Sequence, residues 1–266
     1  MTIHTGAMRR YGKTAAMAAT SYVGDSRLFL IDYLLRFVRV AVLLSIWRLI
    51  FAGKGAVSGM TLGAVLTYTL IAEVFGEQLT CRTQLDVALW EGSVATRFLQ
   101  PMGLVGQFAS DMCGRWLIGL GLFSLPLLLC APLLGVNPLP ASPGGAALFV
   151  PSLALAVSVG LALEFIFGGL IVASEQGVWV ISRVRDAVTT LLSGSLLPLA
   201  MLPWGIGNVF AWLPFASMAS APLKIYTGTG DPLWLLPVQA GWSVVLWPAA
   251  LWLWRANREK LVAYGG

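Results

Sequence analysis

Histidine is nearly absent from this sequence: His4, close to the amino terminus, is the only one. Metal-dependent hydrolysis and Ser-His-Asp catalysis need imidazole ligands or a base gathered at one site, so neither class fits. Cysteine is scarce as well. Cys81, Cys113 and Cys130 are odd in number and form no C-x-x-C pair, which predicts free thiols and no metal site. Charged residues make up 11% of the chain, against about a quarter in a soluble domain. The stretch Gly135–Gly145 has no charge at all. No apolar core of a secretory signal precedes Tyr33, so no cleaved leader is expected.

What is abundant is apolar surface. Hydrophobic residues reach 58% and the mean hydropathy is +0.80, the composition of a polytopic membrane protein. The net charge of +5 does not point to nucleic acid, because the basic residues stand at the ends of apolar runs. Many of the 11 tryptophans, such as Trp47, Trp204, Trp252 and Trp254, lie there too, as interfacial anchors do. Six runs can be read, near 33–52, 57–75, 113–134, 147–173, 187–202 and 233–254. Each supplies about 20 residues, enough to cross ~30 Å of hydrocarbon at 1.5 Å per residue. Arg9, Arg10, Lys13, Arg27, Arg36, Arg39, Arg82, Arg97, Arg115, Arg183, Arg185, Arg255, Arg258 and Lys260 fall on one side of this arrangement. Only Arg48, Lys54 and Lys224 fall on the other. The expected fold is all-α: one transmembrane domain over residues 1–266, with six spans and both termini cytoplasmic.

Three segments stand apart from the spans. Residues 1–32 contain Met8, Tyr11, Ala15, Ala18 and Tyr22 at three- and four-residue spacing, with Arg9, Arg10 and Lys13 off that stripe. This predicts an amphipathic helix at the cytoplasmic interface. Residues 76–112 form the longest polar excursion. Within it Leu85–Glu91 reads as a short helix stopped at Gly92, and Val94–Leu99 as a second one ended by Pro101. Such a knob suits docking of another protein. Finally, 191–228 carries one charge, Lys224, yet is interrupted by Pro198, Pro203, Pro214 and Pro222. Proline lacks an amide donor and clashes with the preceding turn, so no single straight span fits this stretch. Broken apolar segments need neighbouring protein around their backbone and tend to line pathways.

Candidate chemistry is sparse. Gly12-Lys13-Thr14 resembles the end of a phosphate-binding loop, but Ala7 occupies the position of the first glycine and no strand precedes it. The chain is expected to hold no ATP, no metal and no catalytic residue. Glu164 sits within Leu161–Phe167, about 15 Å from the end of its run at helical rise. An acid at that depth must face the bundle or a wet cavity, so Glu164 is a candidate substrate-path residue or an interhelix tie. Glu73, nearer its span end, is a weaker candidate for the path. Asp32, Arg36 and Arg39 share a helix face, as a local ion pair or a lipid-headgroup contact. Gly55, Gly59 and Gly63 form a small-x-x-x-small ladder expected to bring two helices close.

Three short motifs then carry a resemblance. They are Glu91-Gly92-Ser93-Val94-Ala95-Thr96-Arg97-Phe98-Leu99-Gln100-Pro101; Leu192-Ser193-Gly194-Ser195-Leu196-Leu197-Pro198 with Pro203; and Leu213-Pro214-Phe215-Ala216-Ser217 with Pro222, Tyr226 and Gly228. In this order the chain resembles the permease subunits of type-2 ABC exporters, in a small six-span branch without a fused ATPase. Gln100 stands where that branch often has a basic residue.

The resemblance implies a division of labour. Two separate cytoplasmic ATPase subunits hold ATP and Mg, and this chain pairs with a second copy or a related permease in the plasma (inner) membrane. Leu89, Glu91, Gly92, Arg97, Leu99 and Pro101 fall in the implied ATPase-coupling segment, and residues 1–32 in a connecting helix. Residues 203–232 become an extracellular re-entrant region, with Pro198, Pro203, Pro214, Phe215 and Tyr226 at an exit gate. Membrane lipids are the remaining partners. The competing readings are a polytopic scaffold, which leaves the broken stretch unexplained, and a lipid-modifying enzyme, which lacks an acid–base set.

Overall fold

The structure is a computed structural model that describes residues 3–24, 29–174, 177–257 and 260. Met8, Tyr22 and Asp32, named above, have side chains outside what it describes. The described residues are overwhelmingly helical, in keeping with an all-α membrane protein. Three helical stretches are long and apolar enough to cross a bilayer: Leu104–Cys130, Pro143–Ser174 and Pro232–Ala256.

Helix α1 (Ile3–Gly24) is followed by α2 (Phe29–Ile50). The small-residue ladder at Gly55, Gly59 and Gly63 is not one helical seam, since only Gly63 lies in a helix. A turn and a two-residue hairpin, β1 (Ala56–Val57) with β2 (Met60–Thr61), occupy most of it. Gly59 is the reason: it adopts a φ of 79°, which a right-handed helix cannot accommodate. Helix α3 (Leu62–Val74) starts after the hairpin, with the Thr61 side chain accepting from the Ala64 N–H. It is extended by α4 (Gly76–Thr80) across a break at Phe75. The second run therefore reaches Thr80, five residues deeper into the polar excursion than the hydropathy indicated.

Helices α5 (Leu85–Trp90) and α6 (Val94–Phe98) follow as the two predicted short helices. The third run starts earlier than its apolar core, at α7 (Leu104–Gly119), and passes through a π-helical turn, Leu120–Ser124, into α8 (Leu125–Cys130). Pro126 accounts for the turn. Proline cannot donate in the ladder, and the wider i→i+5 spacing, seen as Leu125 N–H to Leu120 O, lets the helix continue past it.

Helix α9 (Pro143–Ser174) is the axis of the fold, packing against the last helix and most short elements. Helix α10 (Val178–Leu192) begins well before the fifth apolar run and takes in Arg183 and Arg185. It also ends earlier than expected. Residues 193–205 form bends and two 3₁₀ turns, so no helix reaches Leu202. The Ser193 hydroxyl accepts from the Ser195 N–H, and Pro198 has no amide to offer, so the ladder has no continuation. Short helices α11 (Ile206–Phe210), α12 (Pro214–Met218) and α13 (Ser220–Tyr226) lead to α14 (Pro232–Ala256), capped by the Asp231 side chain.

The most thoroughly buried stretch is Ala216–Leu223, not one of the long helices. It is wedged against α9, α3 and α14. A polar clamp holds it there. Gln239, fully buried in α14, donates through Nε2 to Ser217 O (2.8 Å) and Ser152 O (3.1 Å), and its Oε1 accepts from Ser152 Oγ (2.7 Å). Tyr68 Oη donates to Gly194 O at 2.7 Å, and the Ser220 N–H donates to Ser193 O at 2.9 Å. The last two bonds satisfy the carbonyls of Ser193 and Gly194, where the chain is not helical, as a buried break requires.

Helix α1 lies along α7, with Tyr11, Ala15 and Ala18 of the predicted stripe half-buried and Arg10, Gly12 and Lys13 exposed. A Cβ on Gly114 would sit 2.1 Å from Ala15 O, so the close approach depends on that glycine.

Candidate functional site

The segment from Arg82 to Gly103 is a compact knob carried on the bundle. Gly92, with a φ of 70°, turns the chain between α5 and α6, and its N–H donates to Leu89 O at 3.3 Å. Arg97 folds inward. Its Nη1 donates to Asp111 Oδ2 at 2.7 Å, and its guanidinium lies 4.3 Å from the Phe108 ring centroid. Gln107 Nε2 donates to the carbonyls of Arg97 and Met102, both at 2.9 Å, closing the end of α6.

This arrangement divides the predicted set. Leu89, 2% exposed, faces the core beside Leu85, Phe108 and Phe165. Arg97 is held within the chain. Glu91 and Pro101 are exposed, and Leu99 is 86% exposed. Phe98 and Trp90, which were not singled out in the sequence, are exposed as well. Trp90 also meets Trp179 at the start of α10, with ring centroids 5.9 Å apart and both rings more than half exposed. Residue spacing carries no signal for that pair, because the two tryptophans come from segments far apart in the chain.

Glu164 ties the knob to the bundle. Its Oε1 accepts from the Thr83 N–H and from Thr83 Oγ1, both at 3.0 Å. Its Oε2 lies 2.7 Å from Arg185 Nη2, with both side chains under a tenth exposed. Arg185 Nη2 also donates to Thr80 O (3.0 Å) and Cys81 O (3.3 Å), and Nη1 reaches Asp186 at 3.2 Å. One carboxylate therefore joins α9, α10 and the approach to α5. Its oxygens are taken up by these partners. Glu73 is half-buried and ion-paired with Arg39 of α2, not with Arg185. The two acids are not brought together.

The predicted gate residues are spread over 193–232. Pro198 is buried and precedes the first 3₁₀ turn, and Pro203 is exposed at the second. Pro214 opens α12, and Phe215 packs by the cluster of Met112, Met218 and Trp242. Tyr226, at the other end of α13, donates to Pro138 O at 2.6 Å and rests edge-on to Phe149, 5.1 Å between centroids. Trp212, between α11 and α12, meets α14: its carbonyl accepts from Trp242 Nε1 at 3.1 Å, and its ring meets Trp234 at 5.3 Å.

Comparison with protein families matches residues 37–265 to the family described as ABC-2 family transporter protein. The match takes in the knob, the Glu164–Arg185 pair and the whole of 193–232, and leaves α1 outside. Among curated proteins no relative matches the chain.

Proposed function

Starting from the fact that this chain belongs to the ABC-2 transporter family, as a multi-pass membrane protein with a permease role, we propose that it forms the translocation path of an ATP-driven exporter. Permeases of this family work with ATP-binding subunits. In the proposed assembly two cytoplasmic ATPases hold ATP and Mg, and this chain binds no cofactor of its own. It pairs with a second copy or a related permease in the plasma (inner) membrane, with six spans and both termini cytoplasmic. Residues 203–232 re-enter from the outer side, and Pro198, Pro203, Pro214, Phe215 and Tyr226 belong to its exit gate.

The observation that carries this reading is the two-sidedness of the knob. Its inner face is fixed to the bundle by Thr83–Glu164, Leu85 and Leu89, while Trp90, Phe98 and Leu99 stand exposed on it. A part that is rigid towards the bundle and apolar outward suits the transmission of a push from a docked subunit. Aromatic side chains of that kind are favoured as interface anchors. Glu164 then acts as a positioning residue for the coupling segment. Helix α1, packed along α7, serves as the connecting helix beside it.

The test is co-purification with the ATPase partner. The lone chain hydrolyses no ATP, and the complex does. Leu99→Asp and Gly92→Trp abolish assembly or uncouple hydrolysis from export. Normal assembly and export by both variants, or hydrolysis by the lone chain, sinks the proposal.

A further inference from the structure

Trp90 closes α5 and Trp179 stands in the first turn of α10, and their rings meet at an interplanar angle of 54°. The contact still leaves them 60% and 51% exposed. Two indoles that pack on each other and keep half their surface outward form one apolar patch, built from two separate segments.

Helical spacing tells what that patch faces. The outward residues of α10 fall on two stripes. Val180, Val184, Ala187 and Leu191 form one, apolar throughout, as a hydrocarbon-facing side requires. Trp179 belongs to the other, with Arg183, Asp186 and Thr190. On α5 the face of Trp90 is that of Asp86, one turn earlier, and exposed Glu91 follows it. Both rings therefore stand on the charged, water-facing sides of their helices and not on the lipid-facing stripe. An aromatic centre with a charged rim is the composition of a protein interface.

Beneath the pair the two segments are already tied together. Arg82, just ahead of α5, pairs with Asp186 of α10, and Glu164 of α9 holds both Thr83 and Arg185. From there α10 runs to Ser193, whose carbonyl accepts from the Ser220 N–H at 2.9 Å in the broken stretch. A partner seated across Trp90 and Trp179 bears on the knob and on α10 at once, and α10 leads directly into residues 193–232.

We propose that Trp90 and Trp179 form one anchor for the ATP-hydrolysing subunit, so that the start of α10 is a second docking element beside the knob. This rests on the transport reading, which supplies the partner; the place of the anchor comes from the tryptophan pair. The fitting surface on the ATPase is an apolar pocket ringed by polar groups.

The test is photo-crosslinking of the full chain in its native membranes. One site at a time, p-benzoylphenylalanine replaces Trp179, Leu99 on the knob, or Trp204 in the 193–205 bends, whose ring is 90% exposed. Captured protein is identified by mass spectrometry and by retention on immobilised ATP. Trp179 and Leu99 capture the same ATP-binding protein, and Trp204 does not. Capture at Trp179 alone supports the second docking element and removes Leu99 from the coupling segment. Capture at Leu99 with only lipid at Trp179 overturns the inference and leaves the coupling role of the knob standing. Failure at both sites overturns both. Capture at Trp179 of a protein that does not bind ATP, or equal capture at Trp204, also overturns the inference. Affinity then grades the pair. Trp90→Ala and Trp179→Ala each weaken binding of the captured ATPase to the purified permease roughly thirtyfold, the loss typical of an interface anchor. The double variant is little worse than either, because each ring positions the other. Wild-type affinity in Trp179→Ala, or losses that simply multiply in the double variant, overturns the shared anchor.

Discussion

Replacing Glu164 isolates one buried ion pair and asks how much of the coupling segment hangs on it. Breaking a buried pair by removing one partner costs about 3–5 kcal/mol, because the other charge is left uncompensated. Here the loss is graded by what remains. In Glu164→Gln the amide oxygen still accepts from Thr83, and Arg185 still reaches Thr80 O, Cys81 O and Asp186. That variant is therefore expected at the lower end, about 3 kcal/mol. Glu164→Ala also strands the Thr83 N–H and adds a cavity, which places it near 5 kcal/mol or somewhat above. Glu164→Leu with Arg185→Met removes both charges and is expected to recover more than half of the loss. The assay is thermal unfolding in detergent, followed by loss of the monodisperse peak, with limited proteolysis across residues 81–103 as a local readout. At about 2–4 °C per kcal/mol, Glu164→Gln should lower the midpoint by roughly 6–12 °C and Glu164→Ala by more. Cleavage in the knob should accelerate in the same order. Wild-type midpoints for both single variants, or a double variant worse than either, would refute the argument.

Other consequences can be read separately. Gly114→Val drives a methyl group against Ala15 O and should loosen α1 from α7 by about 1–3 kcal/mol, seen as faster amide exchange confined to residues 3–24. Unchanged protection of α1 would mean that the two helices do not touch there. Gln239→Leu strands Ser217 O and the Ser152 hydroxyl, at about 1–3 kcal/mol per unsatisfied group. Its expected readout is faster proteolysis between Ser193 and Gly228 with little change in the knob. Tyr68→Phe loses a single bond to Gly194 O and should cost about 0.5–1.5 kcal/mol by the same unfolding assay.

Elements defined by composition and periodicity were legible in the chain. The apolar stripe Tyr11–Ala15–Ala18 marks the face that α1 buries, because a helix must turn its small and apolar side inward. The Gly92 turn and the two short helices around it follow from local rules of helix ends. The glycine ladder after Lys54 misled, since small-residue spacing alone does not distinguish a helix seam from a turn with positive φ. The fifth apolar run misled in a different way. Its hydropathy continues past Leu192 although its hydrogen-bond ladder stops there.

By itself the sequence determined that this is a membrane protein of many helices, where polar knobs interrupt them, and which segments proline breaks. Those properties belong to neighbouring residues, and solvent transfer and backbone sterics act on them locally. Only the tertiary structure decided what the isolated polar residues do. Glu164 meets Arg185 and Thr83, Gln239 meets Ser152 and Ser217, and four arginines from α2, α7 and the approach to α5 converge on one cleft. Each partnership joins positions distant in the chain. In a low-dielectric interior a polar group must find a partner wherever packing brings one, and spacing along the chain does not record where that is.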